Sequence, residues 1–411
     1  MKTEYPVLSL NERDRRWLKV REMMRQKGVE CLLLGGFKSR EQLEGYLTND
    51  YPEGVVIFPL EGDPVCLSWT GTRITRQMES TLRGFPAWVE DMRVGVTGPA
   101  IAAVLKEKGF ERGKIGVVGL ESRAPGESGG TIPYKTWDYI LEELKGATFI
   151  DLSLSFCELI LVKSDEELEL VRWAARAGER ACEVMINNMK PGVSERSLYA
   201  EIMKSICESG AAVRYPLLIL HTGIDNMSWG PPMWQYQAQP PRILQAGDLV
   251  QAEIFPCYGG LEAQQQMAVS LNPVNSITAE CGRVARISYE VGLEALRPGK
   301  TFQQVCDAME EPIRSEGCWH LTPLIHSLNP IGWTSATQVG IEQMPGHEKY
   351  NGLRGRPAMG GDLVIQAGMV FELEPNACKG KQRTNIGGTV IVRQDGVEEL
   401  NILPTEMRVA D

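Results

Sequence analysis

The sequence lacks what a membrane protein, a nucleic-acid binder or a disulfide scaffold needs. No apolar run approaches the roughly 20 residues that cross a bilayer, and the opening MKTEYPVLSLNERDRRW has no apolar signal core. Basic tracts and basic amphipathic helices are missing. Lys and Arg number 43 against 53 Asp and Glu, for a net charge of −10, and a uniformly acidic chain repels phosphate backbones. The ten cysteines form no CxxC or CxxH pair, which excludes a zinc ribbon and argues for reduced thiols. The expectation is a cytoplasmic protein with no membrane or nucleic-acid partner. Three motif fragments are also incomplete. Gly126-Glu127-Ser128-Gly129-Gly130 fits G-x-S-x-G, but Pro125 and Pro133 flank it where a nucleophile elbow needs a strand and a helix. Gly352-Leu353-Arg354-Gly355 has no strand–helix context for phosphate. His347-Glu348 has no second histidine one helical turn away.

What is present is a chain of 411 residues, 43% hydrophobic and 23% charged, too long for one ordinary core and predicted to form two domains. Residues 1–158 alternate helical and strand patterns. Helices are predicted over Leu10–Lys27 (capped by Asn11), Arg40–Leu47, Thr72–Leu82, Ala100–Lys108 and Tyr134–Leu144. Strands are predicted over Val29–Leu34, Lys114–Leu120 and Ala147–Leu152, with a hairpin in Gly54–Trp69. That alternation is an α/β unit. Residues 159–411 read as α+β. Ser164 opens a long helix with Glu167 three positions on, a capping box, and Ser194 caps another. A hairpin spans Gly247–Ser270, and helices follow over Thr278–Arg297 and Phe302–Glu316. Strands close the chain at Met369–Glu374, Thr389–Val392 and Glu398–Ile402.

The stretch Ile243–Leu271 concentrates the chemistry: Glu253 on one strand, then Gly259-Gly260, then Gln264, Gln265 and Gln266. Around it lie Lys190-Pro191-Gly192-Val193-Ser194-Glu195, Gly247-Asp248-Leu249-Val250, Gly368-Met369-Val370-Phe371-Glu372-Leu373-Glu374-Pro375 and Gly388-Thr389-Val390-Ile391-Val392. In this order and spacing they resemble the pita-bread family of creatinase, aminopeptidase P, prolidase and methionine aminopeptidase. The resemblance covers most of the chain. It implies an α/β N-terminal domain followed by an α+β pita-bread catalytic domain.

The family's metallopeptidases hold two metal ions with two Asp, one His and two Glu. The resemblance places these on Glu253, Gln264, His326, Glu374 and Gly387. An amide is a poor bridge between cations and glycine offers no side chain, so too few carboxylates remain for two dications. No metal and no other cofactor is expected. Creatinase, the metal-free hydrolase of the fold, shares Phe255-Pro256, His326-Ser327 and Glu374. Where its general-base histidine would stand, after His221-Thr222-Gly223-Ile224-Asp225-Asn226, this chain has Gly230, and its carboxylate-holding arginine falls on or near Tyr51. Ectoine hydrolase, which opens a cyclic amidine, is another such relative.

The resemblance therefore implies a metal-independent hydrolase of a C–N bond in a small polar metabolite (guanidino, amidine, lactam or amide). Glu253, His326 and Glu374 are the candidate catalytic residues. Glu374 lies on an apolar strand, where desolvation raises a carboxyl's pKa, although a structural pair with Arg383 would also explain it. His326 reads as the acid on a leaving nitrogen or as a core histidine. Glu253 reads as base, nucleophile, anchor or solvated hairpin residue. Gln264 and Gln266 can hydrogen-bond a substrate but transfer no proton, and Cys257 reads as a buried thiol. Trp229, Trp333 and Glu342 are further candidate substrate contacts. Asp50 and Tyr51 join them through the homodimer that such relatives form. The competing readings are a metal-dependent Xaa-Pro peptidase with an altered site, a non-catalytic ligand-binding protein and a lyase.

Overall fold

The computed structural model describes residues 5–36, 41–121, 132–225, 227, 229–350 and 352–410, excepting the side chain of Tyr215. The Gly126–Gly130 motif and the start of the helix expected from Arg40 lie outside them. The chain divides into two compact units that meet in sequence at Glu166 and Glu167. The expected boundary fell earlier, at 158/159. Just beyond that point, Ile160 belongs to the first unit's core and Leu159 packs against it.

The first unit runs α1 (Leu10–Lys27), β1 (Cys31–Gly35), α2 (Gly45–Thr48), β2 (Val55–Pro59), β3 (Val65–Ser68), α3 (Gly71–Leu82), β4 (Asp91–Val94), α4 (Gly98–Glu107), β5 (Lys114–Val118), α5 (Tyr134–Glu143), β6 (Thr148–Asp151) and α6 (Ser153–Leu161). Its six strands form one mixed sheet in the order β4-β3-β2-β1-β5-β6. The run CLLLG is apolar without a break because both faces of β1 are covered. Leu32 and Leu34 meet Val20, Met24 and Phe156 on one side, while Cys31 and Leu33 meet Ile101, Leu105 and Ile140 on the other. The cap of α1 is Ser9, whose side chain accepts from Glu12 N–H, and not the expected Asn11. Strand β4 and helix α6 were not anticipated from the sequence.

The second unit runs α7 (Asp165–Asn188), α8 (Glu195–Glu208), β7 (Ala212–Thr222), β8 (Leu249–Tyr258), β9 (Leu261–Glu262), β10 (Gln265–Leu271), α9 (Ser276–Ala295), α10 (Phe302–Ser315), β11 (Ile325–Ser327), β12 (Val370–Leu373), β13 (Asn376–Lys379), β14 (Gln382–Asn385), β15 (Gly387–Arg393), β16 (Gly396–Glu399) and β17 (Arg408–Ala410). Its large sheet follows the path β11-β12-β15-β10-β8-β7, with β9, β16 and β17 attached at the sides, and β13–β14 form a separate hairpin. Gly259 and Gly260, at φ +56° and +80°, make the turn into β9, a conformation that disfavours residues with a Cβ.

Strand alternation divides this sheet into two chemically different faces. Leu218, Leu220, Val250, Ala252, Ile254, Val269 and Leu271 pack on Cys182 and Met185 of α7 and on Ile202 and Ile206 of α8. Phe371 of β12 stacks on Phe302 of α10, with ring centroids 5.9 Å apart. The alternate positions point away from these helices. Register sets them side by side: Glu253 lies opposite Gln266, Gln266 opposite Gly387, Thr389 opposite Glu372, and Glu372 opposite His326.

Among the described residues no helix is long and apolar enough to cross a membrane. Helix α10 starts at a full capping box, with Thr301 and Gln304 exchanging side chain-to-backbone bonds. Thr301→Ala is expected to lower stability by about 1 kcal/mol, measurable by urea denaturation.

Candidate functional site: a buried acid pair

On the polar face of the sheet two glutamates meet in a nearly dry interior. Glu253 and Glu374 are 4% and 2% exposed, and each carboxyl acts on the other's protonation. Two buried carboxyls that act on each other cannot both ionise, so the pair holds a proton. Burial pushes the Glu374 carboxyl well above its ordinary range, and the neighbouring Glu253 adds to the effect. Burial raises Glu253 as well, but Gln266 and Trp229 donate to it and oppose the rise. Glu374 is therefore the member that keeps the proton.

The surrounding bonds fix the pair. Gln266 Nε2 donates to Glu374 Oε2 at 3.1 Å, while Gln266 Oε1 accepts from Asn385 Nδ2 at 2.8 Å. Trp229 Nε1 donates to Glu253 Oε2 at 2.8 Å. His326 Nδ1 lies 2.9 Å from the Ser327 carbonyl, which can only accept, so Nδ1 carries a hydrogen. In the neutral ring Nε2 is then the acceptor, and it faces Glu374 Oε1 at 3.4 Å. The arrangement is a line of proton-carrying groups running Glu253–Glu374–His326.

Five of the expected site residues are thus brought together here: Glu253, His326, Glu374, Gln266 and Trp229. Others go elsewhere. Gln264 donates to Glu262 Oε1 at 2.7 Å and takes its place beside Thr389, because strand register sets Gln266 and not Gln264 across from Glu253. Trp333 is 1% exposed and packed inside. Glu342 faces solvent on a short 3-10 turn. Neither joins the pair. In the first unit, Asp50 accepts from Tyr51 N–H at 2.7 Å and pairs with Arg76. Cys257 is buried.

Several groups went unrecognised in the sequence. Glu372, fully buried, accepts from Thr389 at 3.0 Å; burial and the nearby Glu374 hold its carboxyl well above the ordinary range. Arg383 was read only as a structural partner for Glu374. It makes no ion pair with that residue; its Nη2 donates to Thr322 Oγ1 at 2.9 Å. His320 bonds through Nδ1 to the Thr322 carbonyl, and burial lowers its pKa to about 4. The QRTN sequence of β14 gives no apolar alternation, so nothing marked Arg383 and Asn385 as inward-facing. A cavity of about 10 Å³, room for roughly one water, lies among His221, Trp229, Gln251, Glu253, Arg383 and Asn385.

The fold's dinuclear metal centre does not fit these residues. Among the described residues no group of three or more His, Cys, Asp or Glu is arranged to hold a metal ion. At Gly387, where the resemblance puts the last ligand, a Cβ would lie 2.1 Å from the Leu373 carbonyl oxygen and 2.8 Å from Glu374 Cα. A ligand side chain there requires the backbone to move.

The two-layered helix-and-curled-sheet unit and its preceding α/β unit define a pita-bread protein of the creatinase, aminopeptidase P and prolidase superfamily. More narrowly, the sequence profile of metallopeptidase family M24 matches residues 169–394, and the chain belongs to that family of hydrolases. It is 26% identical over 253 residues to a probable dipeptidase, PepE, of Mycobacterium tuberculosis; that match spans 61% of each chain, so the chain aligns with about three-fifths of that relative. It is 20% identical over 420 residues to creatinase of a Bacillus species, covering 97% of this chain and 92% of the relative. The crystal structure of an X-Pro aminopeptidase from Thermotoga maritima superposes with a TM-score of 0.74 at 15% identity, covering 96% and 99% of the two chains, and supports the fold alone.

A carboxyl whose folded-state pKa is raised is favoured protonated. Its contribution to stability is full below the ordinary carboxylate range and is lost as pH rises toward the folded value. Glu374→Gln keeps the neutral, hydrogen-bonding form at every pH. The variant is expected to gain stability relative to wild type as pH rises from about 5 to 8, read from denaturation midpoints across that range. A constant difference would mean that Glu374 is ionised when folded.

Proposed function

We propose that this chain is a metal-independent hydrolase that cleaves a C–N bond of a small polar metabolite: a guanidino, amidine, lactam or amide compound. The observation that carries the reading is the buried Glu253–Glu374 pair with the Gln266 amide bonded to Glu374, at the positions where the resemblance puts the peptidases' metal ligands. One ionised carboxylate beside one protonated carboxyl supplies a base and an acid at the same place, the division of labour that acid–base hydrolysis requires.

In this mechanism Glu253 takes a proton from the attacking water. Glu374 and His326, in line behind it, deliver a proton to the leaving nitrogen, and a proton passing from Glu253 to Glu374 returns the balance. Gln266 and Trp229 hold the carboxylates in register without entering the proton count. End-to-end similarity to creatinase supports a non-peptide substrate. Similarity to a probable dipeptidase supports the second reading, a metal-dependent peptidase with an altered site. The two differ in whether metal is needed. A homodimer in which Asp50 and Tyr51 reach the partner's substrate belongs to the first reading.

Turnover against a panel of guanidino, amidine, lactam and dipeptide compounds, with and without chelator, tests the proposal. Chelator is expected to leave turnover unchanged. Glu374→Gln and His326→Ala are each expected to lower kcat by about 10²–10⁴-fold. Activity that appears only on adding Mn or Zn, or full activity in both variants, would contradict the proposal.

A further inference from the structure

Arg383 is a buried cation with no carboxylate within ion-pair distance among the described residues; Glu253 and Glu374 act on it only through space. It is 3% exposed. Its Nη2 uses a neutral acceptor, the Thr322 hydroxyl, and its Nε is buried with no acceptor. Among the described residues no carboxylate forms an ion pair with it; the nearby Glu374 is paired with His326. A guanidinium stays charged in proteins and carries five donors in a planar fork, so leaving it this way costs stability. Its position explains why the cost is tolerated. Arg383 lines the water-sized cavity that Glu253 also lines, with Trp229 as the outer wall. Trp229 is 49% exposed and is tied inward by its bond to Glu253. It is the half-exposed member of the cavity's lining.

We propose that Arg383 is the anchor for a carboxylate of the substrate, which makes it a specificity-determining residue of the site. The inference rests on the hydrolase reading above and narrows it. A planar carboxylate matches the fork with two parallel N–H···O bonds and supplies the direct acceptor that Nε lacks. Because Arg383 and Glu253 line one very small cavity, the carboxylate and the scissile C–N bond are separated by only a few bonds. The substrate class is then an N-acyl, N-carbamoyl or N-amidino derivative of a small amino acid, or a lactam that bears a carboxylate. Substrate entry displaces Trp229 and frees Glu253 Oε2, so anchoring and activation of the base occur together.

The test uses acetate as the probe, with acetamide as its neutral counterpart and methylguanidinium as a cation of similar size. Trp229 reports binding through tryptophan fluorescence, its share identified by comparison with Trp229→Phe. Acetate is expected to change that signal saturably and acetamide is not. In Arg383→Met the acetate affinity is expected to fall about tenfold or more, with partial recovery in Arg383→Lys, the scale of a lost charge-assisted pair. Equal responses to acetate and acetamide, binding of methylguanidinium in place of acetate, or undiminished acetate binding in Arg383→Met would each overturn the assignment. If Arg383→Met does not fold, the wild-type comparison of the three probes still decides it. Specific acetate binding without turnover of any carboxylate-bearing C–N compound would sink the hydrolase reading and leave the anchor standing. Turnover of substrates without a carboxylate, unaffected by Arg383→Met, would do the reverse.

Discussion

The mutual influence of two buried carboxyls, Glu253 and Glu374, is the constraint on which the rest of the site depends. Two carboxylates in a dry interior repel, and the only inexpensive resolution without a cation is for one to keep its proton. Everything around the pair is arranged for that state. Gln266 donates to the carboxyls and is itself held by Asn385. Trp229 satisfies the ionised member. Arg383 lowers the cost of the remaining negative charge through space. The sheet makes this possible, because alternation sends the apolar residues of β8 and β10 to the helices and leaves their neighbours to meet one another.

The exchange of metal ligands follows the same logic. Where the resemblance expects carboxylates, Gln264 bonds Glu262 and Gly387 lets two strands approach too closely for a side chain. The space and the charge that two cations would need are both missing. The charge that remains is managed by protons, on Glu374 and on Glu372, and by the guanidinium of Arg383.

Much of the architecture was legible in the sequence, because its signals are local. Apolar periodicity marked most helices, the Ser194 cap marked the start of α8, and the ordered motifs marked the pita-bread unit. Within the site, Glu253, His326 and Glu374 were legible as motif positions. What escaped depended on register and long-range packing. A run of three glutamines does not say which faces Glu253, and two positions of slippage along the strand decide between Gln264 and Gln266. Trp333 carries no mark that separates core from cleft. Arg383 and Asn385 sit in a short polar hairpin that reads as surface, and Glu372 hides between Phe371 and Leu373 in an otherwise apolar strand. The sequence around Trp229 suggested a ligand loop, and the structure gives that indole a definite partner.

The central claim is that a proton sits on Glu374 in the folded protein at neutral pH. Infrared difference spectroscopy reads this directly. Wild type minus Glu374→Gln, at pH 7, is predicted to contain the carbonyl stretch of a protonated carboxylic acid, unmoved by chelator. A difference spectrum with only ionised carboxylate bands would contradict the account.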